Sequence, residues 1–114
     1  MGDMPSYPMP LGANARRQLF EMWKRRNPRA CALLDEYALG MQEREGRVSV
    51  QYVIEKLRHD GGLRIDPIPF QDAYGQVHRY RVNNSDRALI GRWLARRHDG
   101  MRVMTRRSDF DGVS

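Results

Sequence analysis

A chain of 114 residues has room for one hydrophobic core, and 40% hydrophobic with 30% charged residues excludes a disordered polymer. The longest apolar run falls well short of the roughly 20 residues of a membrane span, and the first residues lack the basic start and apolar stretch of a secretory signal. The single Cys31 excludes an intramolecular disulfide and a multi-cysteine zinc site, so the expectation is a cytoplasmic protein with no membrane partner, no metal and no cofactor.

A net charge of +6 and a pI near 10.1 admit a polyanionic partner without requiring one. Its distribution says more. Six basic residues oppose one acid between Asn14 and Arg29, one Arg opposes four acids between Ala30 and Gly46, and seven Arg oppose four Asp from Asn83 onward. Positive charge therefore brackets an acidic middle segment.

Residues 1–13 hold Pro5, Pro8 and Pro10 with Gly2 and Gly12, the composition of a flexible arm. Asn14 is positioned to cap a helix over Ala15 to about Arg26, with Leu19, Phe20 and Trp23 on one side and a mostly basic outer face. Asn27-Pro28 marks a boundary, since proline disfavours helix before it and suits the first turn of the next, with Asn27 available as the cap of that second helix. The second helix carries Ala30, Leu33, Leu34, Tyr37, Ala38 and Met41 at three-and-four spacing and should stop at Gly46. Ser49 is placed to cap a third helix with Val50, Val53, Ile54 and Leu57 inward, ended by Gly61-Gly62.

Two runs of strand character follow, Leu63 to Ile68 and Gln76 to Val82, joined by a segment with Pro69, Asp72 and Gly75 that suits a hairpin. Alternation puts Val77, Arg79 and Arg81 on one face of the second run, with Gln76, His78 and Tyr80 on the other. Asn84 or Ser85 is expected to cap a fourth helix to about His98, with Leu89, Ile90, Trp93 and Leu94 inward. A short strand is expected over Met101 to Thr105, then a frayed tail over 108–114. The fold class expected is α+β, mainly helical: a single compact domain over 14–107, with a helix-turn-helix, a β-hairpin in a winged-helix-like order and a C-terminal helix.

That order would carry the third helix into a DNA major groove and lay the hairpin along the backbone. At about 3.6 residues per turn, Gln51, Tyr52, Lys56 and His59 face away from the apolar stripe. Gln suits adenine and Lys suits guanine or phosphate, while Glu55 on the same face would repel phosphate. Arg17 and Lys24 of the first helix and Arg79 and Arg81 of the hairpin are the expected phosphate contacts. The alternative is an ordinary solvated face. On the fourth helix, Ala88, Gly91 and Ala95, with Arg92 and Arg96, suggest a smooth surface for a protein partner or a second copy of the chain, because a mid-helix Gly costs about 1 kcal/mol relative to Ala. Neither a phosphate loop nor a nucleophile beside a base is apparent, so no enzyme is expected.

Four segments, Asn27-Pro28, Val53-Ile54-Glu55-Lys56-Leu57-Arg58, Tyr80-Arg81-Val82-Asn83-Asn84 and Arg107-Ser108, give the chain a resemblance to small uncharacterised proteins of tailed bacteriophages and prophages. An aromatic residue commonly stands there where this chain has His59, and a pair of phenylalanines where it reads Met101-Arg102-Val103-Met104. The resemblance implies a phage or prophage origin and the cytoplasm of a bacterial host, with no chemistry attached. Together these readings lead to a non-catalytic accessory protein binding duplex DNA, or else one that occludes a host or phage protein through its last helix.

Overall fold

The computed structural model describes residues 4–60, 62 and 64–104. The expected tail, Thr105 at the end of the last expected strand, and the Arg107-Ser108 pair lie outside them. Four helices make up most of the described chain: α1 (Ala13–Arg26), α2 (Pro28–Glu45), α3 (Val50–Arg58) and α4 (Arg87–Arg97). Four short strands accompany them: β1 (Val48–Ser49), β2 (Ile68–Gln71), β3 (Val77–Tyr80) and β4 (Val103–Met104). The architecture is α+β and mainly helical, as expected.

The helices bury the stripes their spacing dictates. α2 turns Ala30, Leu34, Ala38 and Met41 inward, and α3 buries all of Val50, Val53, Ile54 and Leu57. α1 contributes Leu19, Phe20 and Trp23 to the same core. Gly46 ends α2 in the left-handed conformation at φ 73°, where its amide reaches the Gln42 carbonyl at 2.8 Å and a side chain would be strained. Ser49 caps α3 by accepting from the Tyr52 amide.

Three expected boundary devices differ. α1 begins at Gly12 without a side-chain cap, so Asn14 is simply exposed on its first turn. The cap ahead of α4 is neither Asn84 nor Ser85 but Asn83. It closes a capping box with Asp86 around the short 3-10 turn Asn84–Asp86. Asp86 is fully buried there and also takes a bond from Arg16 of α1 at 3.3 Å. Asn27 precedes α2 yet makes no side-chain cap. Its amide donates to the Trp23 carbonyl (3.0 Å) and the Asp66 carbonyl (2.9 Å), and its oxygen accepts from the Asp66 amide (2.7 Å). An apparent helix cap thus ties the α1–α2 corner to the strand entry 39 residues later.

The hairpin forms antiparallel, with Ile68 opposite Tyr80 and Phe70 opposite His78, so its first strand starts later than the expected Leu63 to Ile68. Leu63 itself is outside the described residues. The alternation is as expected: Val77 and Arg79 are exposed and Tyr80 is buried. The hairpin packs against α1. The remaining edge of β2 is taken by the segment expected to be a flexible arm. Tyr7 donates its amide to the Gln71 carbonyl, the Gln71 amide donates to Pro5, and the Tyr7 ring meets Phe70 edge-on at 6.1 Å. Extended backbone beside an open strand edge satisfies both sets of amides, and the proline spacing conceals this. β1 does not join the hairpin. It pairs in parallel with β4, Val48 opposite Val103, tying the turn before α3 to the chain after α4.

Replacing Asn27 with Leu keeps the bulk but strands the Asp66 amide and carbonyl, while the Trp23 carbonyl keeps its bond from the backbone amide of residue 27. The expected cost in urea unfolding is about 2–4 kcal/mol, against less than about 0.5 kcal/mol for Asn14→Ala. Equal midpoints for the two variants would show that the Asn27 bridge contributes nothing.

Candidate nucleic-acid interface

The expected contact residues fall on three separate surfaces. Tyr52, Lys56 and His59 line a shallow hollow of about 270 Å³ on α3 together with Glu55. Lys56 lies 4.8 Å over the Tyr37 ring, whose hydroxyl donates to Asp60 at 2.8 Å. Gln51 is committed within the fold: it accepts from Arg87 at 3.2 Å, and its amide faces Glu55 at 3.5 Å. Arg79 stands exposed on the hairpin, and Arg81 shares a cleft with Arg58.

The small-residue surface on α4 is only partly as expected. Ala88 and Ala95 are exposed, but Gly91 is buried. It lies one turn after Arg87, which reaches Gln51 of α3, so Gly91 falls on the side where α4 approaches α3. Its burial removes it from an exposed partner surface.

Two groups of residues assigned to different roles in the sequence come together instead. Arg17 and Lys24 of α1 and Arg92 and Arg96 of α4 line one groove of about 560 Å³, floored by Phe20, Leu89 and Trp93, with Glu21 as its one acid. α1 presents these residues because Arg17, Glu21 and Lys24 recur at helical spacing on one side of it. α4 buries Ile90 and Leu94 and leaves Leu89 and Trp93 half-buried at the margin of the core, where they become the floor.

The floor is held by charge. Phe20 and Trp93 meet edge to face at 6.2 Å, and the Lys24 ammonium sits 4.9 Å from the Phe20 ring and 5.6 Å from the Trp93 ring. The Arg97 guanidinium lies 5.0 Å from Trp93. It is fixed in turn by Asp35 of α2, which accepts from Arg97 Nη2 at 2.6 Å and Nε at 3.1 Å and contacts His98 Nε2 at 2.7 Å. A bidentate guanidinium–carboxylate pair is directional, so Asp35 sets where Arg97 lies on the indole.

Pairing separates the groove's cations from their neighbours. Arg16, Arg64 and Arg97 have carboxylate partners, and Lys24 has Glu21 at 2.9 Å. Arg17, Arg92 and Arg96 have no hydrogen-bonding or ionic partner among the described residues. Like charges gathered without counterions raise the local potential, which an incoming anion relieves.

Other chemistry is sparse. Among the described residues no group of three or more His, Cys, Asp or Glu could hold a metal ion, and no helix is long and apolar enough to cross a membrane. Cys31 is half-buried, its thiol facing the Lys24 carbonyl at 3.7 Å. Burial pushes that thiol up, away from the thiolate a nucleophile needs. Comparison with protein-family models, with curated proteins and with solved structures finds no match for the chain.

Burial alone would raise the Asp35 carboxyl, but the bonds from Arg97 and His98 and the charge of Arg97 outweigh it and hold it below its ordinary 3.8. A carboxyl depressed in the folded state stabilises the fold above its unfolded value and loses that contribution as pH falls through the lower, folded one. Stability measured by denaturant between pH 6 and about pH 3 should therefore fall less steeply in Asp35→Asn than in the unsubstituted protein. Parallel pH curves would mean that the Asp35 clamp adds nothing.

Proposed function

We propose that the domain is a non-catalytic accessory module that grips the phosphate backbone of duplex nucleic acid in the groove between α1 and α4. The observation that carries this reading is the convergence of Arg17, Arg92 and Arg96, all unpaired, with Lys24 around one groove. Guanidinium is suited to phosphate because its planar fork makes two parallel charge-assisted bonds.

The floor favours backbone over bases. Trp93 is the groove's half-exposed aromatic, and both Lys24 and Arg97 already lie against its ring, which leaves little room for a base to stack. Binding through this groove is then largely independent of sequence. From Arg17 to Lys24 the helix rises about 10 Å, a distance over which one strand of a duplex passes about three phosphates.

A winged-helix use of α3, with Tyr52, Lys56 and His59 at base edges, draws support from the exposure of Tyr52 and Lys56. Glu55 among them and the engagement of Gln51 by Arg87 count against it. On the phage-type reading the module would work in the cytoplasm of a bacterial host.

The test is a salt series with a short DNA duplex. Neutralising about three phosphates gives a slope of log affinity against log salt near −3, and Arg92→Ala with Arg96→Ala should make it shallower by about 2. Lys56→Ala should leave the slope in place. An unchanged slope in the double alanine variant, or a loss confined to Lys56→Ala, would move the contact from the groove to α3.

A further inference from the structure

A second cavity, of about 320 Å³, opens on another side of α1. Trp23 forms part of its wall; it adjoins Lys24 in sequence and so points about 100° away from it round the helix. Leu57, Ile65 and Val82 complete an apolar lining, and Arg58 and Arg81 stand at the rim. Both arginines are exposed, and neither guanidinium has a hydrogen-bonding or ionic partner among the described residues. Trp23, part of that wall, has its indole Nε1 buried and without a hydrogen-bond acceptor among the described residues. Leaving such a donor unmatched costs about 1–3 kcal/mol, and folded proteins seldom do so without water or a ligand.

We propose that this cavity binds a nucleoside monophosphate, free or as the phosphorylated end of a strand. The base would seat in the apolar lining and the phosphate would engage Arg58 and Arg81. An apolar recess with two guanidiniums at its mouth selects a ligand that is planar and apolar at one end and anionic at the other. A base offers what a purely apolar ring lacks, a ring nitrogen or carbonyl to accept from the indole. The volume is at the lower end of the roughly 300–1,000 Å³ usual for small-molecule sites, enough for one ring system with its phosphate. None of these residues lines the α1–α4 groove, so the two sites stand or fall separately.

The experiment follows the two indole N–H resonances of the full chain, assigned with Trp93→Phe, during titration with adenosine monophosphate, adenosine and inorganic phosphate. The monophosphate should shift the Trp23 resonance saturably, with adenosine and phosphate each at least about tenfold weaker. Arg58→Ala with Arg81→Ala should weaken the monophosphate by at least about tenfold while leaving the Trp93 resonance in place. The Arg92 and Arg96 alanine variant should keep the response. Competition by a 5′-phosphorylated oligonucleotide, but not by its unphosphorylated form, identifies a strand end as the source; no competition by either identifies the free nucleotide. No saturable shift with the monophosphate, or an equal response to inorganic phosphate, overturns the proposal.

Discussion

The Asp35 carboxylate of α2 ties down the end of α4 and, through Arg97, sets a cation against the indole that lines the α1–α4 groove. One carboxylate receives a bidentate guanidinium and a histidine ring from the same end of α4. That guanidinium lies on Trp93, the Lys24 ammonium lies against the same ring, and Phe20 abuts it edge-on. Three helices are thereby joined through a sequence of charge and aromatic contacts. Each exposed contact is individually small. Their joint effect is geometric, because they place cations against the rings that line the groove. Of the cations around the rim, Lys24 is paired with Glu21, while Arg17, Arg92 and Arg96 have no carboxylate partner among the described residues.

The parts of this fold that were legible in the sequence are those with a period. Val50, Val53, Ile54 and Leu57 repeat at helical spacing and all are buried, and Arg79 and Val77 alternate outward against Tyr80. Gly46 ends α2 because a left-handed turn favours glycine whatever surrounds it. Less legible were features that depend on a distant partner. Asn27 reads as a cap by position, yet its bonds go to Trp23 and Asp66. β1 and β4 are two residues each and too short to show alternation, so nothing local marks their pairing. The proline-rich segment from Pro5 to Tyr7 lacks strand character of its own and is ordered by the open edge of β2.

The proposed contact surface follows the same division. Arg17 and Lys24 were identifiable as basic residues on the outer face of a helix, and Arg92 and Arg96 as basic residues on another. What the linear chain could not convey is that both pairs line one groove. The fourth helix also misleads by one position. Gly91 looks exposed when Leu89, Ile90, Trp93 and Leu94 are all taken as inward, but the helix is turned so that Ile90, Gly91 and Leu94 are buried and Leu89 and Trp93 fall to the groove. Arg58 and Arg81, widely separated in the chain, likewise meet only because the end of α3 lies beside the exit from β3.

The proposed contact rests on cations that the fold leaves without carboxylate partners among the described residues, three of which border the α1–α4 groove. The most direct measurement is backbone and indole chemical-shift mapping of the protein titrated with a short DNA duplex at low salt. The account predicts shifts concentrated at Arg17, Lys24, Leu89, Arg92, Trp93 and Arg96, with Tyr52, Lys56 and His59 unmoved. Shifts centred on α3, or none at any residue, would contradict it.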